Sequence, residues 1–446
     1  MSAPFPDPTL PAPPGDGPLH VAFSGGLDST ALLHLLAHDA RARVRGLVAL
    51  HVHHGLQPQA DAWAAHCEAV CAALGVRCEV LRVTVARDGD RGPEAAAREA
   101  RHAALQARLP PGAVAVLAHH RDDQAETVLL RALRGAGPDG LAAMRPLRPF
   151  GAGWLWRPLL AVARAQLLAY AMRHGLHWIE DPSNAADDAD RNFLRNRVLP
   201  LLRTRWPQAD AVLTDVATLQ RTTIALLDDE DTAALAKVRT SDPAMLDVAR
   251  LRTLPTARRA RVLRRWIAAL GLPPLPRQGS AWCEATLQMP AGDRSPQFDW
   301  AHCRLQRWRD LLHAGPQRTP LPREFAVDWA GTAPLVLPGG DRLHLHGPPP
   351  DAPLDWQVRA RRGGERIALP GRPHSHALKH VLQDRAVPPW LRERLPLLID
   401  ASGRVLAAGD LVLDGAFEAW LHDGGRRLRW AHDAAVHDTP AETPSP

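Results

Sequence analysis

The sequence predicts an α/β fold, in which a doubly wound parallel-sheet domain is followed by a helical domain and a small α+β C-terminal domain. Three observations predict it. Apolar runs of strand length alternate with helical patterns through the first part of the chain, as in domains built from repeated strand–helix units. Polar clusters follow several of the predicted strands, at the carboxyl ends where such sheets bind ligands. The later chain loses this alternation and shows first helical and then hairpin patterns.

The first apolar run follows a Pro-rich segment, residues 1–17, which we expect to be a disordered leader. The second predicted strand is almost continuously apolar, which is typical of a strand buried in a parallel sheet. The predicted strands are Leu19–Phe23, Val44–His53, Val76–Val85 and Ala113–Ala118. The predicted helices are Asp28–Leu36, Pro58–Leu74, Pro93–Leu109 and Asp122–Leu133.

The first strand runs into a glycine turn, VAFSGGLDST, and a helix. Glycines tolerate positive φ and expose their N–H groups, and a helix N-terminus adds free N–H donors and a partial positive charge. Such a turn binds anions, and phosphate or pyrophosphate is the anion expected here. A glycine turn with an Asp or Ser cap is the alternative. The predicted phosphate-binding residues are Ser24, Gly25, Gly26, Leu27, Asp28 and Ser29, with Asp28 also a candidate to hold Mg²⁺.

The second strand ends in HVHHGL, residues 51–56. Three histidines suggest a metal site, but catalytic zinc needs three convergent ligands. On a strand, His51 and His53 would face one side and His54 the other. We therefore favour a loop at the nucleotide-binding end of the sheet over a metal site.

The fourth strand runs into LAHHRDDQAETVLLRALRG, residues 117–135. Asp123 and Glu126 fit a capping box, so a structural role is one interpretation. A histidine–aspartate metal phosphohydrolase is another, although an isolated HHxxDD pattern is weak support. The cluster exceeds what capping requires, and it could bind Mg²⁺, position an amine or accept its proton. Its members are His119, His120, Asp122, Asp123 and Glu126.

The predicted helix between these two clusters carries Glu94 and Arg98 one turn apart. An exposed salt bridge worth a few tenths of a kcal/mol is the simple interpretation of that spacing. Arg98 could instead point along the edge of the sheet towards a phosphate. The spacing alone leaves both interpretations open.

The composition bounds the partners and the compartment. The chain has 446 residues, enough for two or three domains, and Lys+Arg 54 exceed Asp+Glu 48, giving a net charge of +6. Almost all of the positive charge is arginine, which suits bidentate phosphate contacts but could equally reflect genome composition. The five cysteines form no CxxC pair, and no signal peptide or membrane-length apolar run is present. We expect a cytoplasmic protein with reduced thiols and no membrane partner.

The SGGLDS turn resembles the loop of the PP-loop ATP pyrophosphatases, whereas the Walker A pattern GxxxxGK[ST] is absent. HVHHGL, EAAAR and AHHRDDQAETVLLRALRGAGPDGL follow it in order, and IEDPSN precedes RNFLRNRVLP. Together these motifs resemble the tRNA(Ile)-lysidine synthetase family, most strongly over residues 18–202, the predicted catalytic domain. Two positions depart from the family pattern. His53 stands where Asn is usual, and His102 where Tyr is common.

This resemblance implies an ATP-dependent carbon–nitrogen ligase that uses ATP and Mg²⁺. The C2 carbonyl oxygen of the wobble cytidine in CAU-anticodon isoleucine tRNA would attack the α-phosphate and release pyrophosphate. The ε-amine of free L-lysine would then displace AMP and form lysidine, changing codon recognition from AUG to AUA and tRNA identity from Met to Ile.

The resemblance also implies roles for particular residues. Asp123 or Glu126 would orient the amine and accept charge, and Arg98 and Arg191 would neutralise phosphate charge. Asn192 and Arg195 stand where the family keeps polar groups near the active site. The candidate catalytic residues are Asp28, Arg98, Asp123, Glu126 and Arg191.

Residues 203–330 are expected to form a mostly helical middle domain, and residues 331–353 a linker. Helical patterns run from Trp206 to Leu270, whereas a helical domain over the following Pro- and Trp-rich segment is implied only by the family. The segment ARRARVLRRWIAAL predicts a basic amphipathic helix. Its arginines form either a phosphate-binding face or a solvated one.

Residues 354–430 resemble the C-terminal module of the family, which implies a tRNA-binding domain, and SGRVLAAGDLVLD predicts a hairpin within it. Residues 431–446 are polar and Pro-rich, and we expect a disordered tail. Phosphate contacts in such a module would position the tRNA without specifying sequence. The candidates for these contacts are Arg359, Arg361, Arg362, Arg366, Lys379, Arg392 and Arg394.

Two other functions remain open at this point. A tRNA thiolase of the PP-loop class would need paired cysteines near the site, and Cys67 and Cys71 lie on a predicted helix with the wrong spacing. A non-catalytic RNA-binding protein on the same scaffold is the other alternative, and it would not need the residues Ser24, Asp28, Asp123 and Glu126. The expected partners are the isoleucine tRNA and lysine, with a homodimer as an open alternative.

Overall fold

The computed structural model describes residues 5–55, 57–84, 93–181, 189–292, 294–350, 354–372 and 374–432. The chain divides into two compact units, Met1–Asp228 and Asp229–Pro446. Several predicted features lie outside the described residues, namely the first four residues of the leader, Leu56 of HVHHGL, the last three residues of IEDPSN and the tail beyond residue 432. The side chain of Glu94 also lies outside them, so its predicted pairing with Arg98 stays a prediction.

The first unit begins with alternating strands and helices, as predicted. Its elements are β1 (Leu19–Ala22), α1 (Leu27–Ala37), α2 (Ala40–Val44), β2 (Leu47–His53), α3 (Ala60–Ala73), β3 (Arg77–Arg82), α4 (Pro93–Arg108), β4 (Val114–Val116), α5 (Arg121–Leu133), α6 (Pro138–Leu141), β5 (Leu147–Phe150), β6 (Gly153–Trp156), α7 (Arg164–Arg173), α8 (Asp190–Phe193), a π-helical turn (Leu194–Val198), α9 (Leu199–Arg205) and α10 (Ala209–Leu226).

The sheet of this unit has the strand order β3-β2-β1-β4-β6-β5. All of its neighbours pair in parallel except β5 and β6, which form an antiparallel hairpin at one edge that the sequence did not indicate. Alternate residues of β4 face two different apolar clusters, one containing α1, α3 and α7 and the other α4. Helices therefore cover both faces of the sheet, which confirms the predicted doubly wound fold.

The leader prediction is wrong for part of residues 5–17. Leu10 is 7% exposed and belongs to the apolar cluster beneath α1. Arg45 donates through Nε to the Gly17 carbonyl at 3.0 Å and through Nη2 to the Pro14 carbonyl at 3.0 Å. Residues 5–17 form no helix or strand. The buried side chains of Pro8 and Leu10, contacts to backbone carbonyls and the Asp7–Arg173 ion pair nevertheless hold it against the domain.

We predict that Leu10→Ala lowers the free energy of unfolding of the first unit by about 2 kcal/mol, because it removes a buried side chain from the core. Denaturant unfolding monitored by circular dichroism measures the change. Leu133→Ala is the matched control, because Leu133 is 76% exposed and its truncation should cost under about 0.5 kcal/mol. Equal stability of Leu10→Ala and wild type would contradict the packing of the leader.

The second unit begins with helices and continues into short antiparallel strands. Its elements are α11 (Asp228–Val238), β7 (Met245–Asp247), α12 (Val248–Thr253), α13 (Thr256–Ala269), α14 (Arg277–Gln288), β8 (Gln297–Trp300), β9 (Cys303–Trp308), β10 (Leu311–Pro316), β11 (Ala326–Asp328), β12 (Leu335–Val336), β13 (Arg342–His346), β14 (Trp356–Arg359), β15 (Arg366–Ala368), β16 (Ser375–Ala377), α15 (Leu378–Asp384), α16 (Pro389–Arg392), β17 (Leu397–Asp400), β18 (Val405–Ala408), β19 (Val412–Leu413), α17 (Gly415–Asp423) and β20 (Arg427–Ala431).

The middle domain is not mostly helical throughout. Its helices α11 to α14 pack against an antiparallel sheet of order β7-β10-β9-β8, which the sequence did not predict. Leu305, Gln306, Arg307 and Trp308 are four consecutive buried residues of β9. A strand buried on both faces shows no apolar–polar alternation, and this explains why its pattern was missed.

The described part of the predicted linker 331–353, residues 331–350, belongs to the C-terminal domain. β13 pairs with β20 over its whole length, and Leu343 and Leu345 lie in the domain core. β11, which precedes the predicted linker, pairs with β14 in the main sheet β11-β14-β17-β18-β19. The predicted hairpin is confirmed as β18 and β19. The domain therefore starts near residue 321, where Leu321 is already buried in its core.

The structure also bears on the membrane and thiol expectations. Of the helices in the described ranges, none combines the length and the apolar character needed to cross a membrane. All five cysteines are free thiols, and four of them are buried.

Candidate active site

Two polar clusters meet where β1 and β4 end. These strands are parallel neighbours in the sheet, so their carboxyl ends lie side by side. β1 is followed by SGGLDS, and β4 by His119 and His120. The chain diverges from this point to either side of the sheet, which is the switch point where doubly wound folds bind their ligands. Oδ2 of Asp28 lies 3.5 Å from Nε2 of His120, so the two clusters form one site.

The glycine turn after β1 is shaped for close approach of the backbone. Gly25 has φ +81°, and a Cβ there would lie 2.7 Å from Cδ1 of Ile179 and 2.9 Å from Sγ of Cys67. Gly26 is the N-cap of α1 and no side chain caps that end. The predicted alternative of an Asp or Ser cap is therefore wrong, and the first N–H groups of α1 remain available to an anion.

Contacts from both sides hold this turn in place. The hydroxyls of Ser24 and Ser29 lie 3.0 Å apart, and Ser29 donates to the Gly26 carbonyl at 3.0 Å. On the far side, the N–H of Ile179 donates to the Gly25 carbonyl at 2.9 Å, and Gly26 and Ile179 form a parallel bridge. These contacts fix the shape of the turn within the fold.

Asp28 presents one carboxylate oxygen that is only weakly satisfied. Its Oδ1 is buried and accepts no hydrogen bond from the described residues. The cation paired with that oxygen is Arg164, whose Nε lies 3.7 Å away. A buried carboxylate oxygen beside an anion cradle fits a hard cation such as Mg²⁺, which prefers oxygen ligands and phosphate.

A capping box is present, but at a different position from the predicted one. His120 is the N-cap of α5, and its Nδ1 accepts from the Asp123 N–H at 3.4 Å. Asp123 accepts in return from the His120 N–H at 3.0 Å. The predicted pairing of Asp123 with Glu126 is wrong because α5 begins at Arg121, which moves the cap to His120. Burial disfavours the imidazolium of His120, but Asp28, Asp123 and Asp122 outweigh it and raise its pKa.

Two arginines neutralise the carboxylates of α5. Arg191 donates from Nε to Oε2 of Glu126 at 2.7 Å and from Nη2 to Oδ1 of Asp123 at 3.0 Å. Arg195 donates from Nε to Oε1 of Glu126 at 2.7 Å and from Nη2 to Oδ1 of Asp123 at 3.1 Å. Glu126 is 1% exposed. We call these four residues the arginine–carboxylate cluster.

The cluster changes what Asp123 can do. Burial alone would raise the pKa of Asp123, but His120, Arg191 and His119 lower it to about 2. A carboxylate with so low a pKa is a weak proton acceptor. Glu126 already accepts from both arginines through both oxygens. Asp123 and Glu126 are therefore both poorly suited to the expected role of accepting the proton of an amine. Both are better suited to provide a fixed negative charge.

Sequence reasoning missed three arginines of this site. Arg157 follows β6 and donates from Nε to Nδ1 of His119 at 3.3 Å. Arg164 opens α7 and faces Asp28, and Arg203 joins Asp122 at 2.9 Å to Asp210 at 2.7 Å. Arg157 could have been found only by recognising GWLW as the strand beside β4, because the carboxyl ends of neighbouring parallel strands meet. No sequence pattern around Arg164 or Arg203 indicates that these residues reach the site.

Arg98, a predicted catalytic residue, is exposed on α4. Its positive charge contributes to lowering the pKa of His119 and of Arg157, so its guanidinium lies close enough to influence the site. It is not part of the arginine–carboxylate cluster, in contrast to Arg191. Its expected role towards phosphate stays a prediction.

The histidines of HVHHGL serve other contacts. Nδ1 of His51 lies 3.0 Å from the Phe23 carbonyl, and Nε2 of His53 lies 3.2 Å from Asp61. Nε of Arg101 donates to Nε2 of His54 at 3.4 Å. Across the described part of the chain, no three or more His, Cys, Asp or Glu side chains are grouped to hold a metal ion. The loop interpretation is thus favoured over zinc, and the metal phosphohydrolase alternative finds no support.

The cysteines do not fit sulfur transfer. Sγ of Cys67 lies under the glycine turn, 3.3 Å from Nδ1 of His51, and burial raises the pKa of this thiol to about 12. Cys71 is fully buried, and its contact with Cys78 together with burial raises its pKa. Thiolates are the reactive form. The thiolase alternative therefore has no support in this geometry.

The predicted phosphate contacts of the C-terminal domain divide into two groups. Arg394 is buried and donates to Asp341 at 2.9 Å, while Arg392 donates to the Val387 carbonyl at 2.6 Å and lies over the Trp308 ring. Both arginines thus help to hold the fold, and their assignment to tRNA phosphates stays a prediction. Arg362 and Lys379 are exposed, as is Arg366. Arg359 and Arg361 are half-buried, with Arg359 lying 3.5 Å from Glu365.

The basic helix α13 is largely neutralised within its own unit. Arg258 pairs with Glu230 and Asp231, Arg261 pairs with Asp231, and Arg259 pairs with Glu284 at 2.6 Å. These ion pairs hold α13 to α11 and α14. A phosphate-binding face made of these three arginines is therefore not what the structure shows.

The fold and the site define a nucleotide-binding domain of the PP-loop class. Residues 9–202 match the family model described as PP-loop domain. Residues 246–313 match that of the TilS substrate binding domain, and residues 356–430 that of the TilS substrate C-terminal domain.

Named relatives identify the family within this class. A tRNA(Ile)-lysidine synthase from Xanthomonas axonopodis pv. citri is 53% identical over 95% of this chain and 96% of its own. Relatives of the same name from Xylella fastidiosa and Pseudomonas aeruginosa are 51% and 44% identical, covering 96% and 92% of this chain and 98% and 92% of their own. The chain belongs to the tRNA(Ile)-lysidine synthase family, which confirms the resemblance drawn from its motifs.

We predict that Gly25→Ala abolishes ATP binding, because the new Cβ would collide with Ile179 and Cys67 at a positive φ. Isothermal titration calorimetry with ATP measures the effect. Gly112→Ala is the matched control, since Gly112 has φ +74° with no atom within 4 Å of the new Cβ. It should lose about 1 kcal/mol of stability and bind ATP normally. ATP binding by Gly25→Ala at the wild-type affinity would contradict the packing of the turn.

We predict that Asp123 makes the stability of the first unit pH-dependent below pH 4. Its pKa is depressed from 3.8 to about 2 in the folded state, so its contribution is complete above the unfolded pKa and is lost as the pH falls towards 2. The contribution at neutral pH is about 2 kcal/mol. Denaturant unfolding of wild type and Asp123→Asn between pH 6 and pH 2.5 should show a gap that narrows below pH 4. A gap that is constant with pH would contradict the assigned pKa.

Proposed function

We propose that this chain joins lysine to C2 of the wobble cytidine of isoleucine tRNA with a CAU anticodon, using ATP and releasing AMP and pyrophosphate. The observation that supports the proposal is that the glycine turn after β1 and the charged cluster after β4 form a single site. The glycine turn that can hold ATP meets a charged cluster at Asp28 and His120, 3.5 Å apart. Family membership supplies the reaction class, and the geometry supports roles for the residues.

The first step is assigned to the glycine turn and to α1. The N–H groups of Gly25, Gly26 and the start of α1 would bind the phosphates of ATP, with the hydroxyls of Ser24 and Ser29 beside them. Asp28 would hold Mg²⁺ through its buried Oδ1, and the cation would neutralise phosphate charge as pyrophosphate leaves. The helix N-terminus adds a fixed partial positive charge at the same place.

We assign the second step, the attack of the lysine amine, to the residues that follow the carboxyl end of β4. The arginine–carboxylate cluster carries two positive and two negative charges, so it can face both an anionic phosphate and a cationic amine at little electrostatic cost. Asp123 would attract the lysine ammonium as a fixed carboxylate. Because the pKa of Asp123 is low, a different group would have to remove the amine proton. Glu126 would hold Arg191 and Arg195 in place. These assignments narrow the role first expected for the two carboxylates.

The remaining partners follow from the reaction. Isoleucine tRNA and free L-lysine are the proposed substrates, and a tRNA substrate would place the enzyme in the cytoplasm. A homodimer stays a prediction. Arg362 and Lys379, as exposed cations of the C-terminal domain, are our candidates for contacts with tRNA phosphates.

We predict that Asp28→Ala abolishes pyrophosphate release and the incorporation of labelled lysine into unmodified isoleucine tRNA. Loss of the carboxylate removes the proposed cation ligand and the partner of His120. Asp61→Ala is the matched control, because Asp61 is 79% exposed and lies outside the site. It should keep activity within about twofold, as expected for a surface substitution. Pyrophosphate release by wild type without lysine incorporation would leave adenylation and overturn the proposed second step.

We predict that Lys379→Ala and Arg362→Ala weaken tRNA binding and each lower the salt slope of log K by about 1, since each would remove one phosphate contact. Filter binding of isoleucine tRNA between about 50 and about 300 mM KCl measures the slope, because affinity that depends on phosphate contacts falls steeply over this range of salt. Arg41→Ala serves as the control, because Arg41 is exposed but paired with Asp39 at 2.7 Å. An unchanged slope in both variants would remove these residues from the tRNA interface.

A further inference from the structure

The ring of His119 is held by an arginine that sequence reasoning overlooked. Arg157 is 6% exposed and follows β6, the parallel neighbour of β4. Its Nε donates to Nδ1 of His119 at 3.3 Å, and its Nη1 donates to the Arg145 carbonyl at 2.9 Å. The guanidinium is thus anchored on the backbone at one end and on the imidazole at the other.

This contact determines where the proton of His119 lies. A guanidinium has N–H donors and no acceptor, so Nδ1 of His119 must be the accepting atom. A ring nitrogen that accepts a hydrogen bond carries no proton. The ring is therefore neutral, and its single proton is on Nε2.

We propose that Arg157 is a positioning residue that fixes His119 as the Nε2–H tautomer, so that His119 donates a hydrogen bond to a substrate oxygen and does not take the proton of the lysine amine. The proposal rests on the function proposed above. It assigns to Arg157 a role that acts through His119 and requires no contact with substrate.

The charges around His119 support a neutral ring. Arg157 after β6, Arg191 on α8 and Arg98 on α4 oppose a positive charge on it, and Asp123 on α5 favours one. Burial is the largest cause, and with these cations it lowers the pKa of His119 to about 3. The neighbouring His120 faces Asp28, Asp122 and Asp123, which raise its pKa. Two adjacent histidines thus lie among charges that shift their pKa values in opposite directions, a pattern that separates roles in active sites.

An N–H donor suits an oxygen and does not suit an ammonium group. The oxygen could belong to a phosphate of ATP, to C2 of the cytidine or to the carboxylate of lysine, and all three share the same acceptor chemistry. The affected step distinguishes them. Loss of the donor slows pyrophosphate release for the first two oxygens. For the third it raises KM for lysine, and the effect disappears with cadaverine, which is lysine without its carboxylate.

The first experiment compares His119→Gln with His119→Ala in pyrophosphate release and lysine incorporation. The amide nitrogen of Gln can take the place of Nε2 as a donor but cannot act as a base at neutral pH. We expect Gln to keep activity within about tenfold of wild type and Ala to lose on the order of a hundredfold, the usual effect of removing one such donor. Equal losses in the two variants would overturn the donor role and restore a base.

The second experiment tests Arg157 by a double-mutant cycle. Arg157→Met should lower the rate at least about tenfold in the wild-type background and under about threefold in His119→Gln, because an amide needs no tautomer lock. Equal losses in both backgrounds would mean that Arg157 acts structurally. Arg157→Lys should rescue part of the rate, since it restores one donor.

Nitrogen-15 NMR of histidine-labelled protein tests the tautomer without an activity assay, with His119→Gln identifying the signal. In wild type, Nε2 should be protonated and Nδ1 unprotonated from pH 5 to pH 8, whereas Arg157→Met should allow the Nδ1–H tautomer to appear beside the Nε2–H one. A protonated Nδ1 in wild type would overturn the proposal. If wild type incorporates no lysine, the proposed function fails, while this measurement still decides the Arg157–His119 contact.

Discussion

Two carboxylates buried at the start of α5 are the constraint on which the rest of the site depends. Asp123 and Glu126 are buried in the sheet domain, where a charge without a partner costs several kcal/mol. Arg191 and Arg195, one helical turn apart, offset that cost. Their contacts dock the helical segment from α8 to the π-helical turn onto α5. The same four charges consequently stabilise both the start of α5 and the segment from α8 to the π-helical turn.

Much of the sheet domain could be predicted from its sequence, because its determinants are local. β1 to β4 and the helices α1, α3, α4 and α5 are short periodic runs, and their observed ends differ from the predicted ones by a few residues, whereas the short α2 was not predicted. The meeting of SGGLDS with the β4 cluster followed from the rule for strand ends. Ile179, Arg157 and Arg164 could not be found in this way. Each reaches the site only because β6 joins the sheet beside β4 or because a distant loop folds back.

The second half was predicted less well for two physical reasons. A short edge strand flanked by Pro and Gly, such as β12, resembles a linker until a partner such as β13 is known. Arginine motifs are also ambiguous, because the same residue type binds phosphate at a surface and neutralises Asp341 in a core. Arg394 fitted the motif as well as Arg362 did, and only burial separates them. The same ambiguity applies to α13 in the middle domain. Its sequence is consistent with an anion-binding face, but Arg258 and Arg261 form ion pairs with Asp231.

The bridge between Gly26 and Ile179 has a consequence for the synthesis of the chain. A nascent chain that has emerged only as far as β4 already contains both glycines and Asp28, yet it lacks the strand-like segment that walls the turn. The turn therefore cannot reach its final shape until nearly the whole domain has left the ribosome. Nucleotide binding by a growing chain would report completion of the domain, and truncated products would be unable to consume ATP.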